Sequence, residues 1–350
     1  MQSKRLVFTG GHHTGALEVA KKLKGQGFEI FWLGHRHSMW GDTADSAEFR
    51  DVTAAGIAFF DLQAGKFHHT YNPFKLMRIP WGFVQSLYLL LLLKPNLVVS
   101  FGGYLAVPVV IVGWCLGIKS VTHEQTMTSG WANKLIANFA AKIALSWPDS
   151  LQNYPKAKTV LVGLPIRDEI KVILKQKIQK HPKPIVFITG GKQGSHKINE
   201  AVFANIPALT KKFKIIHQTG SSTVYNDFAK AKEIKMPGYE CFDYDQYKYN
   251  SAMAQCDVVV GRAGAHTVYE LGILGKTCVL VPIPWVSQNE QYLHAKYLAD
   301  HDLAIILPED KLSPQSLFEA INKSLKLKAK VLNLTLDGVD NMCRLVVESL

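Results

Sequence analysis

Three glycine-rich turns hold the side chains best suited to chemistry in this sequence. The first is TGGHHTGAL, Thr9 to Leu17, after an apolar run. Backbone N–H groups in such a turn, with the positive end of a following helix, favour a phosphate or a developing negative charge. His12 and His13 lie in it, and imidazole is the side chain whose ordinary pKa suits proton transfer near neutrality. The pattern is not G-x-G-x-x-G, so the dinucleotide fingerprint is absent. A plain tight turn with exposed histidines accounts for the same residues.

The second turn is TGGKQGSHKIN, Thr189 to Asn199, where Gly190, Gly191 and Gly194 bracket Lys192 and Gln193. It lacks the full G-x-x-x-x-G-K-[ST] of a P-loop. Lys192 is either a point charge for a phosphate or a solvated loop lysine. The third is GRAGAHTVYELG, Gly261 to Gly272, whose small residues Ala263, Gly264 and Ala265 let a ligand approach the backbone. Thr267 and Glu270 fall three apart, as in a capping box. Alternatively Glu270 accepts hydrogen bonds from the vicinal hydroxyls of a ribose, as acidic residues do in other nucleotide folds.

Four further segments carry polar groups. IPWVSQNEQYLHA, Ile283 to Ala295, offers Glu290, Gln291 and His294 to sugar hydroxyls, or is an ordinary helix start. SFGGYLAVP (Ser100–Pro108) and THEQTMTSGWANK (Thr122–Lys134) each follow an apolar run. GLPIR ends in Arg167, a guanidinium suited to a diphosphate. His123 and Glu124 lack the spacing of a metal site, and no metal or other cofactor is expected.

The elements that must position these residues alternate. Strands are expected at Arg5–Thr9, Phe28–Leu33, Leu97–Phe101, Ile118–Thr122, Lys142–Trp147 and Thr159–Val162. A second set is expected at Pro184–Thr189, Phe213–Gln218, Asp257–Val260, Thr277–Val281 and Leu303–Leu307. Most are continuous apolar runs, the mark of strands buried on both faces of a parallel sheet. Helical stretches of crossover length separate them. The fold class is α/β with doubly wound parallel sheets. LVFTGG at Leu6–Gly11 returns as VFITGG at Val186–Gly191, half a chain later, as two Rossmann-like halves would produce. Residues 1–165 are read as one domain, 166–330 as a second, and 331–350 as a C-terminal helix able to pack back on the first. The basic stretch Lys171–Lys183, ending in Pro182 and Pro184, is the expected linker.

With 350 residues, two cores fit better than one. Forty basic against twenty-eight acidic residues give +12, which favours an anionic partner. Nucleic acid is not expected, since the basic residues are scattered and no nucleic-acid-binding signature appears. The five cysteines are widely spaced and never in a C-x-x-C pair, as fits a reducing cytosol. The N-terminus lacks the features of a signal peptide. The strongest apolar run, Trp81–Leu93, is interrupted by Gln85 and Ser86 and falls short of the about 20 residues a spanning helix needs. It is read as either a buried helix or one lying on a membrane surface beside Lys75, Arg78 and Lys94.

Taken in order, these segments resemble the MurG family of glycosyltransferases, family 28, of GT-B fold. The resemblance runs from Gly10–His12 to about Leu298. It is carried by FGGY at Phe101–Tyr104, HEQ at His123–Gln125, G-x-x-N-K at Gly130–Lys134 and G-x-P-x-R at Gly163–Arg167. GG-x-Q-G at Gly190–Gly194 and R-x-G-A-x-T-x-x-E at Arg262–Glu270 complete it.

The resemblance implies two Rossmann-like domains facing a cleft. It also implies inverting transfer of N-acetylglucosamine from UDP-GlcNAc to lipid I, forming lipid II for peptidoglycan. Arg167, Gly190, Gly191, Lys192, Gly194, Gly264, Ala265, Thr267, Glu270 and Gln291 would hold the donor, with Glu270 on the ribose. His12 would be the base. Gly10, Gly11, Gly103, Tyr104 and Thr126 would face the acceptor. A lipid-linked acceptor places the protein in the cytoplasm, peripheral on the anionic inner face of the membrane. The chain departs from the family pattern in a shorter first loop, with Gly15 where a Pro falls, and in Leu164 and Thr126 where Asn stands. Lys192 replaces a Ser and His294 an Asn. These changes fall on donor and acceptor contacts. They leave room for a GT-B transferase with another lipid or polysaccharide acceptor, or a non-catalytic nucleotide-sugar-binding homologue.

Overall fold

The computed structural model describes residues 3–37, 45–65, 77–176 and 181–350. The chain divides into two units, Met1–Ile166 with Thr335–Leu350, and Arg167–Leu334.

In the first unit the order is β1 (Arg5–Thr9), α1 (His13–Gly25), β2 (Glu29–Gly34), α2 (Ala47–Ala54), β3 (Ala58–Asp61) and α3 (Arg78–Leu93). β4 (Leu97–Ser100), α4 (Ala106–Cys115), β5 (Ser120–Glu124), α5 (Trp131–Phe139), β6 (Lys142–Leu145) and β7 (Thr159–Leu161) follow. The strands form one sheet in the order β3-β2-β1-β4-β5-β6-β7. Every pairing is parallel. Apolar side chains on one face, such as Leu6, Phe8, Trp32 and Val99, pack on α1 and on the C-terminal helix. Val7, Leu33 and Val98 fill the other, under α3 and α4.

The second unit runs α6 (Asp168–Leu174), β8 (Ile185–Thr189), α7 (His196–Phe203), α8 (Ile206–Lys212), β9 (Lys214–Gln218), α9 (Asp227–Glu233) and β10 (Tyr239–Phe242). Next come α10 (Gln246–Gln255), β11 (Val258–Gly261), α11 (Ala265–Leu274), β12 (Thr277–Leu280), α12 (Glu290–Asp300), β13 (Ala304–Ile306) and α13 (Pro314–Ser324). α14 (Gly338–Ser349) closes the chain in the first unit, with Met342 and Val346 in that unit's core. The second sheet has the order β10-β9-β8-β11-β12-β13, again parallel. In each sheet the first strand has a neighbour on either side, and chain order reverses there. Ligands of doubly wound sheets bind outside the carboxyl ends of strands at such a point. The turns at Gly10, Phe101, Gly190 and Arg262 follow the four strands that flank the two reversals.

Two strands escape the reading by apolar runs: β3 and β10. Both are sheet edges. They are short and only partly buried, AFFD with no fully buried residue and YECF broken by exposed Glu240, so neither offers the long, fully buried apolar run of an inner strand. The expected linker also differs. Asp168–Leu174 is helical, with Asp168 and Glu169 in its first turn and Ile170 and Ile173 buried. The rest of that linker reaches residues 177–180, which lie outside the described residues, as does Lys75.

α3 buries Gly82, Ser86, Leu89, Leu90 and Leu93 against α4 and leaves the rest of its apolar surface outside. Trp81, Val84, Tyr88 and Leu91 are more than half exposed. Among the described residues no helix is long and apolar enough to cross a membrane. All five cysteines are free thiols.

Candidate functional site

In the first unit the site begins where β1 and β4 end side by side. Gly10, at φ +135°, lies so close to the Phe101 backbone that a Cβ would sit 2.7 Å from its carbonyl carbon. The Gly11 N–H donates to the Gly102 carbonyl at 3.0 Å. The Gly10–Gly11 turn and the Phe101–Tyr104 loop are thereby one surface. His12 caps α1 from this surface without a side-chain capping bond. Burial pushes its imidazole down to about 4, and His13 adds to the effect. The ring is therefore neutral at pH 7, the state in which it accepts a proton. His13 turns away to Asp51, Nε2 to Oδ2 3.0 Å. Tyr104 lies against the His35 ring, centroids 5.8 Å apart.

Behind this surface sits a buried carboxylate. Glu124, the last residue of β5, is 3% exposed. Its Oε1 accepts from Thr126 N–H at 3.1 Å and Thr126 Oγ1 at 2.8 Å. Its Oε2 accepts from Asn133 Nδ2 at 2.6 Å and Tyr154 OH at 2.9 Å. Burial pushes the carboxyl up, and these donors oppose the rise. The Asn133 Oδ1 then accepts from Gly103 N–H at 3.1 Å. Thr126 was expected at the acceptor; its hydroxyl is bonded to Glu124. His123 stands behind Phe101, ring centroids 5.0 Å apart, and burial lowers its pKa to about 3.

In the second unit, β8 and β11 are neighbours, with Thr189 paired to Gly261. Their following turns, Gly190–Ser195 and Arg262–Gly264, therefore start side by side. Gly194, at φ +88°, has no room for a Cβ against the Thr219 carbonyl. A second loop braces the first. Ser221 N–H donates to Lys192 C=O at 2.9 Å, Ser222 N–H to Gln193 C=O at 3.2 Å, and Gln218 Nε2 to Gly191 C=O at 2.8 Å. Lys192 Nζ lies 5.4 Å from the Tyr244 ring centroid. Ser195 caps α7, and its buried hydroxyl has no hydrogen-bond partner among the described residues.

Glu270 lies inside α11 and is 2% exposed. The helix begins at Ala265 with Gly264 as its cap and no side-chain capping bond. Thr267 is thus already inside the helix, and the Thr267–Glu270 spacing makes no capping box. Glu270 instead meets Arg167 NH2 at 3.3 Å and Tyr249 OH at 3.4 Å. Arg167 also lies over the Tyr249 ring, 5.6 Å from its centroid. Burial pushes the Glu270 carboxyl up; the Arg167 charge pulls the other way. Gln291 is tied to the backbone after β12, its Oε1 accepting from Ile283 N–H at 3.1 Å. His294 Nδ1 bonds the Ala263 carbonyl at 3.2 Å. Arg262 turns into the unit, pairing with Glu309 at 2.5 Å.

The fold brings Arg167 to Glu270, and the Gly190 turn beside the Gly264 turn. Tyr249, Asn133 and Tyr154 were not singled out by type and spacing. An aromatic within a helix and a tyrosine in a loop carry no motif. Asn133 is the Asn of the G-x-x-N-K segment at Gly130–Lys134, which carried the resemblance but assigned that residue no role. Among the described residues no cluster of three metal-ligating side chains occurs.

Residues 8–145 match the glycosyltransferase family 28 N-terminal domain, and 185–335 match the family 28 C-terminal domain. A protein of Clostridium tetani (strain Massachusetts / E88) is 31% identical over 98% of this chain and 97% of its own length. One from Lachnoclostridium phytofermentans is 33% identical over 91% of this chain and 90% of its own. Both are called UDP-N-acetylglucosamine--N-acetylmuramyl-(pentapeptide) pyrophosphoryl-undecaprenol N-acetylglucosamine transferase. Among solved structures, MurG of Acinetobacter baumannii superposes with a TM-score of 0.74 at 23% identity, covering 99% of each chain. A UDP-GlcNAc 2-epimerase from Neisseria meningitidis does so at 0.61 and 13% identity, again over 99% of each. At these identities the likeness is one of fold, the GT-B fold of two Rossmann-like units.

Proposed function

The chain belongs to glycosyltransferase family 28, and on that premise we propose that it transfers N-acetylglucosamine from UDP-GlcNAc to a lipid-linked pyrophosphoryl-MurNAc-peptide. The observation that carries this reading is the match, along nearly the whole chain, to relatives bearing that transferase name. The acceptor hydroxyl attacks the anomeric carbon, the bond from that carbon to the UDP oxygen breaks, and configuration inverts. UDP departs with the bonding electron pair, and the hydroxyl proton passes to His12.

Each step has a group suited to it. His12 is neutral at working pH, and the negative diphosphates of both substrates raise its affinity for the proton as they bind. The departing diphosphate is met by the N–H groups of the Gly190–Gly194 turn, the start of α7, Lys192 and Arg167. Glu270 takes the ribose hydroxyls through lone pairs left beside Arg167 and Tyr249. Gly264, Ala265, Thr267 and Gln291 line the same donor side. Gly10, Gly11, Gly103 and Tyr104 face the acceptor diphosphate.

The exposed face of α3, with Trp114 and Trp131 also exposed nearby in the fold, is the surface for the acceptor's membrane. Lys94 and Arg78 at its ends suit an anionic leaflet, at about 1 kcal/mol per basic residue near the surface. The protein then works as a cytoplasmic enzyme on the inner face of the cell membrane. The +12 charge serves diphosphate and anionic lipid, not nucleic acid.

The engagement of Thr126 by Glu124 favours a second reading, a GT-B transferase with a different acceptor. The test is transfer of label from UDP-GlcNAc to lipid I in anionic or neutral vesicles, with other lipid-linked sugars in parallel. Labelled lipid II, formed faster on anionic vesicles, is expected. Product only on another acceptor moves the assignment to the second reading. Donor binding without any product identifies a non-catalytic homologue.

A further inference from the structure

Glu124 and Asn133 are both buried behind the loop that faces the acceptor, and both lie in segments that mark the family pattern. Their bonds run in one direction. The Glu124 carboxylate fixes Asn133 through Nδ2 at 2.6 Å. Asn133 Oδ1 fixes the Gly103 N–H at 3.1 Å. The Gly102 carbonyl fixes the Gly11 N–H at 3.0 Å. His12 is the next residue.

The backbone at the middle of this chain needs such a support. Gly102 and Gly103 hold φ +71° and +78°, and a Cβ at Gly102 would collide with the Asn133 amide. Two successive glycines in the left-handed region are free to leave it, since glycine carries little preference between signs of φ. The orientation of the Asn133 amide is also determined. Its NH2 must face the carboxylate, which only accepts, and its oxygen must face the Gly103 N–H, which only donates. Thr126 and Tyr154 satisfy the remaining lone pairs of Glu124, so the carboxylate has no alternative pose to rotate into.

We propose that Glu124 and Asn133 are positioning residues for the His12 turn, acting through the Gly102–Gly103 peptide. This deepens the transferase reading, resting on His12 as its base. Misplacing a reacting group by about 1 Å costs up to roughly a hundredfold in rate. Loss of the Asn133 strut is therefore expected to lower kcat by about tenfold or more.

The experiment has two arms, one of which needs no turnover. In the first, imidazole resonances of the full chain are followed against pH in wild type, Asn133→Ala and Glu124→Gln, with His12→Ala supplying the assignment. The His12 titration is expected to move upward from its depressed value in both variants as the turn loosens and water reaches the ring. A general loss of stability would not move the titration of molecules that remain folded. An unchanged His12 titration in both variants overturns the proposal.

In the second arm, kcat is measured for His12→Ala, Asn133→Ala and the double variant, per mole of UDP-binding sites. If Asn133 acts through His12, the double variant turns over no slower than His12→Ala alone. Multiplicative losses overturn the proposal. Full turnover by His12→Ala removes the base role instead, and a moved His12 titration in Asn133→Ala still upholds the positioning. Should Asn133→Ala not fold, Glu124→Gln takes its place in both arms.

Discussion

Each unit buries one glutamate beside its glycine turns, and the two are held in opposite ways. Glu124 is surrounded by neutral donors alone: a backbone N–H, two hydroxyls and an amide. Those donors are themselves sealed in, with Thr126, Asn133 and Tyr154 each under a tenth exposed. Glu270 faces a guanidinium and a phenol, and its Arg167 partner keeps 16% of its side chain in solvent. Neutral donors fix a shape without leaving a charge to spare. A cation at the edge of solvent compensates a carboxylate and still has N–H groups to offer an incoming anion. The first arrangement suits a strut and the second a ligand site.

The largest effect should follow from Glu270→Ala. It strands Arg167 in a low-dielectric setting, and breaking a buried pair on one side costs about 3–5 kcal/mol. UDP affinity should fall at least about tenfold, since each lost charged hydrogen bond contributes roughly 1.5–3 kcal/mol. Denaturant titration followed by UDP titration measures both. An unaltered UDP affinity would remove Glu270 from the ribose site and erase the contrast with Glu124.

That contrast shows what the residue pattern carries and what it does not. The inner strands of both sheets are legible because a strand covered on two faces must be apolar throughout, as at Val186–Thr189 and Val258–Gly261. The turns after them are legible because close approach admits only glycine, as at Gly10 and Gly194. Partners across the fold are not. Nothing local joins Arg167 to Glu270, 103 residues away, or Tyr154 to Glu124, 30 away. The spacing of Thr267 and Glu270 suggests a local bond, yet the helix start at Ala265 places Thr267 inside α11, past the capping position. Thr126 misleads similarly. Its place in HEQT suggests contact with a substrate, while the turn it sits in returns its hydroxyl to Glu124, two residues back.

A middle-sized effect should come from Glu124→Gln. The swap keeps size and loses charge, and one amide NH2 now faces donors where an acceptor stood. About 1–3 kcal/mol of stability should go, the cost of leaving a buried donor unsatisfied. UDP affinity should stay at the wild-type value, because the donor residues belong to the other unit. The pH dependence sharpens this. Burial raises the folded-state pKa of Glu124 above its ordinary 4.5. The folded state then binds more protons than the unfolded one from the ordinary value upward, so this group's contribution to stability grows as pH falls through that window. Glutamine has no such contribution. The stability gap between wild type and Glu124→Gln should therefore widen in favour of wild type on mild acidification. The comparison is made in a His12→Ala background, which removes the one titration expected to shift in Glu124→Gln. His123, His217 and His294, all with lowered pKa values, then destabilise both proteins alike and cancel from the difference. A gap that narrows with acid would mean the neutral donors hold the carboxylate as firmly as a cation does.

The smallest effect belongs to Thr126→Val, and its size decides what Thr126 is for. Valine keeps the shape and the backbone N–H that donates to Oε1 at 3.1 Å, and removes the hydroxyl, whose one proton is shared between Oε1 at 2.8 Å and the Thr128 carbonyl. A hydrogen bond to a charged group contributes about 1.5–3 kcal/mol, and with the backbone N–H still serving Oε1 the loss of stability in denaturant titration should stay near the low end, about 1.5 kcal/mol. The Oε2 side, where Asn133 is held, is untouched. Turnover should therefore stay within about threefold of wild type, since half of the network still fixes the amide that supports Gly103. A large fall in kcat with no fall in stability would reverse the assignment. It would place the Thr126 hydroxyl on the acceptor, with the Glu124 bond as its resting state, and make the first unit's carboxylate part of a ligand site like the second's.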